Sequence, residues 1–226
     1  MILIEEPKHL EEIDQTSSMY PTKMLSIQKD YVLEETNVTV YGFLTAGKFT
    51  AITQGNIKYE IHENQYFCLK GPIAIQGLGQ MFCIIRYGFH GIDQIGMSEP
   101  NGRLSYIDGC TDTLLVSPPR LGDPCLNYLH FPIGIYQTQH LHPSIRMGIV
   151  INGKGEAFQE PSKKRSGWEL PLKKGCMFCL EEGEIHSFST DEQYMDIIAY
   201  HPDSDFGPTD FNHPMLNRTY IDHGKG

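Results

Sequence analysis

The stretch GIYQTQHLHPSIRMGIVING, residues 134–153, holds two histidines one residue apart, His140 and His142. In an extended strand, the side chains of residues i and i+2 point to the same face of the sheet. The two imidazoles are therefore expected to project side by side. The same alternation places Arg146 on that face, unless a bend at Pro143 breaks the register.

A third histidine, His186, follows in GCMFCLEEGEIHSFST, residues 175–190. It is expected to join the pair from a second strand. Three converging imidazoles form a set of ligands that divalent transition metals accept. A lone strand histidine is usually a core or surface residue, but a His-x-His pair with a third histidine predicts a metal site. The alternative is a ligand pocket that holds no metal.

The first stretch resembles the first motif of the cupin family. That motif runs Gly, five residues, His-x-His, three or four residues, Glu, six residues, Gly, and the matching positions here are Gly134, His140, His142 and Gly153. Arg146 stands where the family usually has a metal-binding Glu.

The second stretch resembles the second cupin motif, which runs Gly, five residues, Pro-x-Gly, two residues, His, three residues, Asn. Gly175, Gly183 and His186 match it. Glu181 replaces the Pro, and Thr190 replaces the Asn.

The resemblance implies an all-β fold, the cupin double-stranded β-helix or jelly roll. It also implies one divalent transition metal held by His140, His142 and His186, with Fe(II) the leading candidate and Zn, Ni or Mn the alternatives. Cupins host many reactions. Three-His cupins such as the thiol dioxygenases use iron and dioxygen, so the leading function is a metal-dependent dioxygenase. A metal-dependent isomerase or lyase, and a non-catalytic sensor of a small ligand, are the alternatives.

The charges around such a site favour an anionic substrate. Three neutral imidazoles leave the double charge of the metal uncancelled, and Arg146 adds another positive charge. An inward arginine needs an anion, which Glu181, Glu184 or a substrate carboxylate would supply. Glu181 and Glu184 flank the third histidine and are candidates for an acid, a base or a substitute ligand. The other interpretation makes them solvated carboxylates in a turn.

From Asn37 onward, short segments rich in β-branched and aromatic residues alternate with turn residues, which favours a sandwich or barrel. The only helical expectation is a short helix near Pro7 to Ile13.

A weak internal repeat indicates two such units. YFCLKGPIAI, residues 66–75, resembles MFCLEEGEIHSF, residues 177–188, and Ala74 falls where His186 stands. We therefore expect two tandem barrels: a degenerate N-terminal unit, 1–102, and a C-terminal unit with the metal site, 103–226.

The net charge and the apolar content of the chain exclude several classes of binding partner. The 226 residues have a net charge of −10, which should repel nucleic acid, and no apolar run approaches membrane-spanning length. The start, MILIEEPKHLEE, has acids where a signal peptide needs basic residues. We expect a cytoplasmic protein that meets a small molecule and neither nucleic acid nor a membrane; a homodimer is left open.

Neither the six cysteines nor the histidines of the C-terminal tail are expected to form a functional site. The six cysteines are interpreted as buried, reduced thiols. The tail contains His201, His213 and His223, and an irregular tail whose side chains cap turns is favoured over a second metal cluster.

Overall fold

The computed structural model describes residues 1–213, 215–216, 219–220 and 222. Within these ranges the chain is almost entirely strands and turns, and its one helical element is the 3₁₀ turn Ile107–Gly109. The strands are β1 (Ile2–Ile4), β2 (Glu12–Gln15), β3 (Thr22–Ile27), β4 (Tyr31–Leu33), β5 (Val38–Thr53), β6 (Lys58–His62), β7 (Gln65–Lys70), β8 (Ile73–Tyr87), β9 (Gln94–Met97), β10 (Leu104–Ser105), β11 (Thr111–Val116), β12 (Cys125–Phe131), β13 (Arg146–Gln159), β14 (Trp168–Lys173), β15 (Met177–Leu180), β16 (Ser187–Ser189) and β17 (Met195–His201).

These strands form two antiparallel sheets. The first sheet has the order β2-β3-β8-β5-β7-β9, with β4 paired to β8 and β6 paired to β5. The second sheet has the order β1-β15-β13-β17-β12-β11-β10, with β14 and β16 paired to β13. The first sheet takes β2 to β9 and the second takes β10 to β17. Only β1 falls outside this division, because Ile2–Ile4 pairs with β15 near the other end of the chain.

The expected helix near Pro7 to Ile13 is wrong. Leu10 has a positive φ of 62° and donates its backbone N–H to the carbonyl of Ser26 over 2.7 Å. Ser26 in turn donates to the carbonyl of Glu11 over 3.0 Å. These bonds to β3 hold the segment as a turn that leads into β2.

A glycine in each sheet lets the longest strand bend past its neighbour. Gly47 in β5 and Gly153 in β13 both have positive φ, 88° and 68°. A Cβ atom at Gly47 would overlap the carbonyl oxygen of Leu78, and one at Gly153 would overlap that of Tyr194. Glycine is the residue that tolerates both this backbone region and this close approach. Along its length β5 can therefore pair with three other strands, and β13 with four.

Apolar side chains form three buried clusters. One lies within the first sheet and includes Phe67 of β7. Another lies within the second sheet and includes Phe178 of β15. The third joins the two sheets, and in it the rings of Tyr41 and Tyr200 lie 5.0 Å apart. Each sheet thus has its own core, and a shared core fixes one against the other.

All six cysteines are free and buried, as the sequence predicted. The part of the chain that the structure describes contains no helix with the length and apolar character needed to cross a bilayer.

Candidate metal centre

The His-x-His pair does not lie in a regular strand, so the expectation of one continuous strand through Arg146 is wrong. β13 begins only at Arg146, and a bend at Pro143 precedes it. His140 is instead held opposite His186 by an isolated antiparallel bridge. The two residues exchange both backbone hydrogen bonds, at 3.0 and 2.9 Å. This bridge brings the third histidine to the pair from a distant part of the sequence.

The three imidazoles converge. His140, His142 and His186 each offer one nitrogen, and these nitrogens all lie within 4.8 Å of one another. The ring centroid of His186 lies 4.4 Å from that of His140 and 5.1 Å from that of His142. The three nitrogens are therefore close enough to form a group that could hold one metal ion, for which imidazole is a common ligand.

Backbone carbonyls fix which nitrogen carries the proton. Nδ1 of His140 lies 2.9 Å from the carbonyl oxygen of Thr138, and Nδ1 of His186 lies 2.9 Å from that of Glu184. A carbonyl oxygen only accepts hydrogen bonds, so each Nδ1 carries a proton and each Nε2 has a free lone pair. Nε2 of His186 is buried and has no hydrogen-bond partner. An orphaned lone pair in this place is what a metal ligand requires, and the residues therefore fit a metal.

The environment also keeps the ligands neutral. Burial lowers the pKa of His142 to about 2, and the nearby charge of Arg146 acts in the same direction. Burial lowers the pKa of His186 to about 4. Metal binding requires neutral imidazole, so near neutral pH these two ligands have no proton to lose before binding.

The three histidines line one end of a small cavity of about 30 Å³. A single water needs about 10–15 Å³ in this measure, so the cavity admits a ligand of only a few non-hydrogen atoms. Its other polar lining residues are Tyr106, Gln137, Arg146 and His201. The apolar wall includes Leu129, Phe131, Phe178, Leu180, Phe188 and Ile197.

Arg146 lines this cavity although the strand alternation is broken at Pro143, and its carboxylate partner is Asp203. Its Nη1 lies 3.4 Å from Oδ1 of Asp203 and donates to the carbonyl of Ile145 over 2.9 Å. The Nε atom is buried without a partner. Burial lowers the pKa of the Arg146 guanidinium, and the nearby carboxylate of Asp203 partly offsets this shift. A guanidinium keeps its charge in either case.

Asp203 connects Arg146 to the first sheet. It accepts a short hydrogen bond from the hydroxyl of Ser144, and burial, and secondarily the charge of Asp203, raise the pKa of Tyr20. Tyr20 lies in the segment between β2 and β3, and the guanidinium of Arg86 in β8 lies 5.4 Å from its ring. A side chain from the segment between β2 and β3 therefore lies within electrostatic reach of the carboxylate that pairs with Arg146.

The structure does not bring Glu181 or Glu184 to the cavity. Both lie in the turn before His186, and Glu181 is exposed. The backbone N–H of Glu181 donates to Glu184 over 2.9 Å, and the carboxylate of Glu184 contacts the amino group of Met1. Their geometry is that of carboxylates in a turn.

The sequence analysis did not assign three polar residues to the cavity. The first of them, His201, is the one that the sequence pattern could have revealed. Its ring lies 6.1 Å from that of His142, and burial lowers its pKa to about 3. The alternation along β17 contained the signal, because Ile197 and His201 share a face. Of the other tail histidines, His213 is exposed and His223 lies outside the described residues.

Gln137 and Tyr106 complete the polar lining. Gln137 is only 1% exposed, and its Oε1 has no hydrogen-bond partner. Burial, and secondarily the charge of Asp112, raise the pKa of Tyr106 to about 12, so its hydroxyl stays protonated. Only the folded backbone brings these side chains to the cavity, and no pattern in the sequence marks them.

Comparison with solved structures identifies the architecture. A cupin 2 conserved barrel domain protein from Leptotrichia buccalis matches with a TM-score of 0.54 at 14% identity, over 88% of this chain and 95% of that one. Protein Ylba from E. coli matches with a TM-score of 0.59 at 12% identity, over 88% and 84%. The fold is that of the cupin proteins.

A third structure with this cupin fold has a known metal. Bacillus subtilis oxalate decarboxylase, which has Mn(II) centres, matches with a TM-score of 0.54 at 10% identity, over 90% of this chain and 74% of that one. No protein-family model and no curated protein matches the sequence. At these identities the likeness concerns the cupin fold alone.

Proposed function

We propose that this chain is a metal-dependent cupin enzyme that acts on a small anionic molecule, with oxygenation by dioxygen as the leading reaction. The observation that carries the proposal is the convergence of three imidazoles beside Arg146 in one cavity. His140, His142 and His186 would hold a divalent transition metal, with Fe(II) the leading candidate and Mn, Ni or Zn the alternatives. Bound there, the metal would supply Lewis acidity and, in the case of iron, electrons for dioxygen.

The residues around the centre support an anionic substrate. Arg146 and Asp203 cancel each other's charge, so the double charge of the metal stays uncompensated by its three neutral ligands. The hydrogen bonds of Arg146 to Ser144, Ile145 and Asp203 all use Nη1, which leaves Nε–H, a donor suited to a carboxylate oxygen. A substrate carboxylate would satisfy both the metal and this orphaned donor.

The apolar wall of the cavity would exclude water from the bound metal and substrate. Phe131, Phe178 and Ile197 are buried and line the cavity. Excluding water strengthens the attraction between a bound anion and the positive groups that face it. It also protects a reactive intermediate from side reactions with water.

The finer architecture that we propose is two tandem cupin barrels, 1–102 and 103–226, with the metal site in the second. In the first sheet Val32 lies opposite Ala74, as His140 lies opposite His186 near the second sheet. The internal repeat independently aligns Ala74 with His186. The first unit would then carry small apolar residues where the second carries ligands.

A second pair of equivalent positions supports the repeat. Phe67 of β7 lies opposite Gly42 of β5, and Phe178 of β15 lies opposite Gly148 of β13. In both cases a Cβ atom on the glycine would overlap the phenylalanine ring. The aligned segments YFCL and MFCL therefore occupy matching places in the two sheets.

Metal retention tests the centre. Protein loaded anaerobically with Fe(II), Mn(II), Ni(II) or Zn(II) and then desalted is expected to keep about one equivalent of metal. His186→Ala should lose it, because one of three ligands is gone, whereas His62→Ala on the exposed edge of the first sheet should keep it. A wild-type protein that keeps no metal would contradict the centre and favour a metal-free sensor.

Oxygen consumption tests the reaction. The Fe(II) protein is expected to consume dioxygen when a panel of small carboxylates is added, and the Zn(II) protein is expected to consume none. Metal retention without oxygen uptake across the panel would contradict oxygenation.

Metal retention without oxygen uptake would favour an isomerase or lyase. One observation supports this alternative. His201 and Tyr106 line the cavity without belonging to the three-histidine group, and a proton transfer would need such groups. Product analysis by NMR after anaerobic incubation with the same carboxylates separates this candidate from the oxygenase.

A further inference from the structure

Gln137 has an unusual place for an amide side chain. It is 1% exposed and lines the cavity together with the three histidines. Its backbone N–H donates to the carbonyl of Phe188 over 2.9 Å, which fixes the residue against β16. Its Nε2 lies 3.9 Å from Sγ of Cys110, and its Oε1 is buried without a partner.

An orphaned buried acceptor destabilises a folded protein. Such a group loses its hydrogen bonds to water and gains none in the protein, and most buried polar atoms have a partner for this reason. Three residues around this cavity each have one buried polar atom without a hydrogen-bond partner. These atoms are Oε1 of Gln137, Nε of Arg146 and Nε2 of His186. The lone pair of His186 fits the metal, and Nε–H of Arg146 fits a carboxylate. The amide oxygen of Gln137 accepts hydrogen bonds, and a carboxylate has no donor to offer it.

We infer that Gln137 is a specificity residue that accepts a hydrogen bond from a substrate hydroxyl, so that the substrates are small α-hydroxy carboxylates. This rests on the proposed function, because it takes the carboxylate and the metal from there. The cavity of about 30 Å³ admits only a few non-hydrogen atoms, which places the hydroxyl on the carbon next to the carboxylate. A site built to bond a hydroxyl discriminates strongly against the analogue that lacks it.

The test uses the Zn(II)-loaded protein, which cannot turn over with dioxygen, titrated calorimetrically with glycolate and with acetate. The two ligands differ only by the hydroxyl. Chelation of the metal also favours glycolate, so the ratio of the two affinities is compared between variants. In Gln137→Met, the affinity for glycolate is expected to fall about tenfold, while that for acetate stays unchanged.

Gln139→Met is the matched control. Both ends of the Gln139 amide bond to Glu160, at 3.0 and 3.1 Å, and Gln139 is absent from the cavity lining. This variant should leave both affinities unchanged. An equal glycolate-to-acetate ratio in wild type and Gln137→Met, with equal zinc content, would overturn the inference and leave the proposed function standing. Failure of the wild type to bind either carboxylate would overturn the proposed function itself.

A second measurement does not depend on the variant folding. In a crystal structure of the wild-type zinc protein with glycolate, the hydroxyl oxygen is expected within about 3.2 Å of Oε1 of Gln137. A glycolate whose hydroxyl is turned away from Gln137 would overturn the assignment.

Discussion

At the scale of single residues, burial sets the protonation of the site and so its response to pH. The pKa values of His142, His186 and His201 are lowered to about 2, 4 and 3. In the unfolded chain a histidine has a pKa near 6.5, so between about pH 4 and 6.5 the unfolded state binds more protons than the folded state. Stability is therefore full above pH 6.5 and is lost as the pH falls toward 4.

This predicts that the thermal midpoint of the metal-free protein drops between pH 7 and 5, with each histidine contributing up to about 1.4 kcal/mol per pH unit. His201→Phe should make the slope shallower, because one of the three groups no longer titrates. A midpoint that stays level over this range would contradict the buried, neutral state of the histidines.

Arg146 is expected to act on substrate and not on metal. In Arg146→Met the metal content should stay intact, while the binding of a small carboxylate should weaken by about 2–4 kcal/mol, because a buried charged pair loses one partner. Isothermal titration of the zinc protein with acetate measures this.

The variant also leaves Asp203 without its cation, so the free energy of unfolding should fall. The double variant Arg146→Met/Asp203→Asn separates the two effects: it should recover stability but not carboxylate binding. Equal acetate affinity in wild type and Arg146→Met would end this assignment.

The sequence predicted the site residues that belong to motifs of fixed spacing. It missed the residues that reach the site only through the pairing of strands distant in sequence. His140, His142 and His186 follow from the spacing of two motifs, whereas Arg146 lines the cavity although the bend at Pro143 breaks the alternation that pointed to it. Asp203 lies 57 positions from Arg146 and reaches it only because β13 and β17 pair, which no local pattern reveals. Glu181 and Glu184 were candidates by nearness in sequence, and the turn that carries them points their carboxylates elsewhere.

At the scale of elements, the matched glycines of β5 and β13 allow one substitution to be compared in two sheets. Gly42→Ala and Gly148→Ala should each destabilise the fold by about 1–3 kcal/mol, because the new methyl group collides with Phe67 or Phe178. Phe178 lines the cavity and Phe67 does not. Only Gly148→Ala should therefore weaken metal binding.

Chemical denaturation and zinc titration of both variants check this pair of outcomes. Gly91→Ala, where a Cβ atom would meet neighbours only at 3.1 Å and beyond, is the milder control. Loss of zinc affinity in Gly42→Ala as great as in Gly148→Ala would contradict the separate roles of the two sheets.

Element type was predictable where apolar and turn residues alternate, and least so where long-range pairing decides. The Pro7 to Ile13 segment has no decisive periodicity, and its bonds to Ser26 make it a turn. The His-x-His segment has strand alternation, yet Pro143 bends the chain and delays β13 until Arg146.

At the scale of the whole molecule, the shared core predicts one cooperative unfolding transition. Tyr41 and Tyr200 are almost fully buried against each other between the sheets, in a cluster that draws on both. Losing either sheet would expose that face, so neither should persist without the other. Differential scanning calorimetry of the metal-free protein should show a single peak, and Tyr41→Ala should lower its midpoint. Two resolved peaks would contradict this coupling.

The pairing of β1 with β15 makes the order of synthesis matter. Ile2 lies opposite Cys179, and their positions differ by 177. At translation rates of about 5–20 residues per second, the partner leaves the ribosome about 9–35 seconds after the first strand. Over that interval the apolar segment Ile-Leu-Ile has no edge to join, while most of the first sheet is already available to fold. Translation speed therefore sets how long this segment stays open to neighbouring chains.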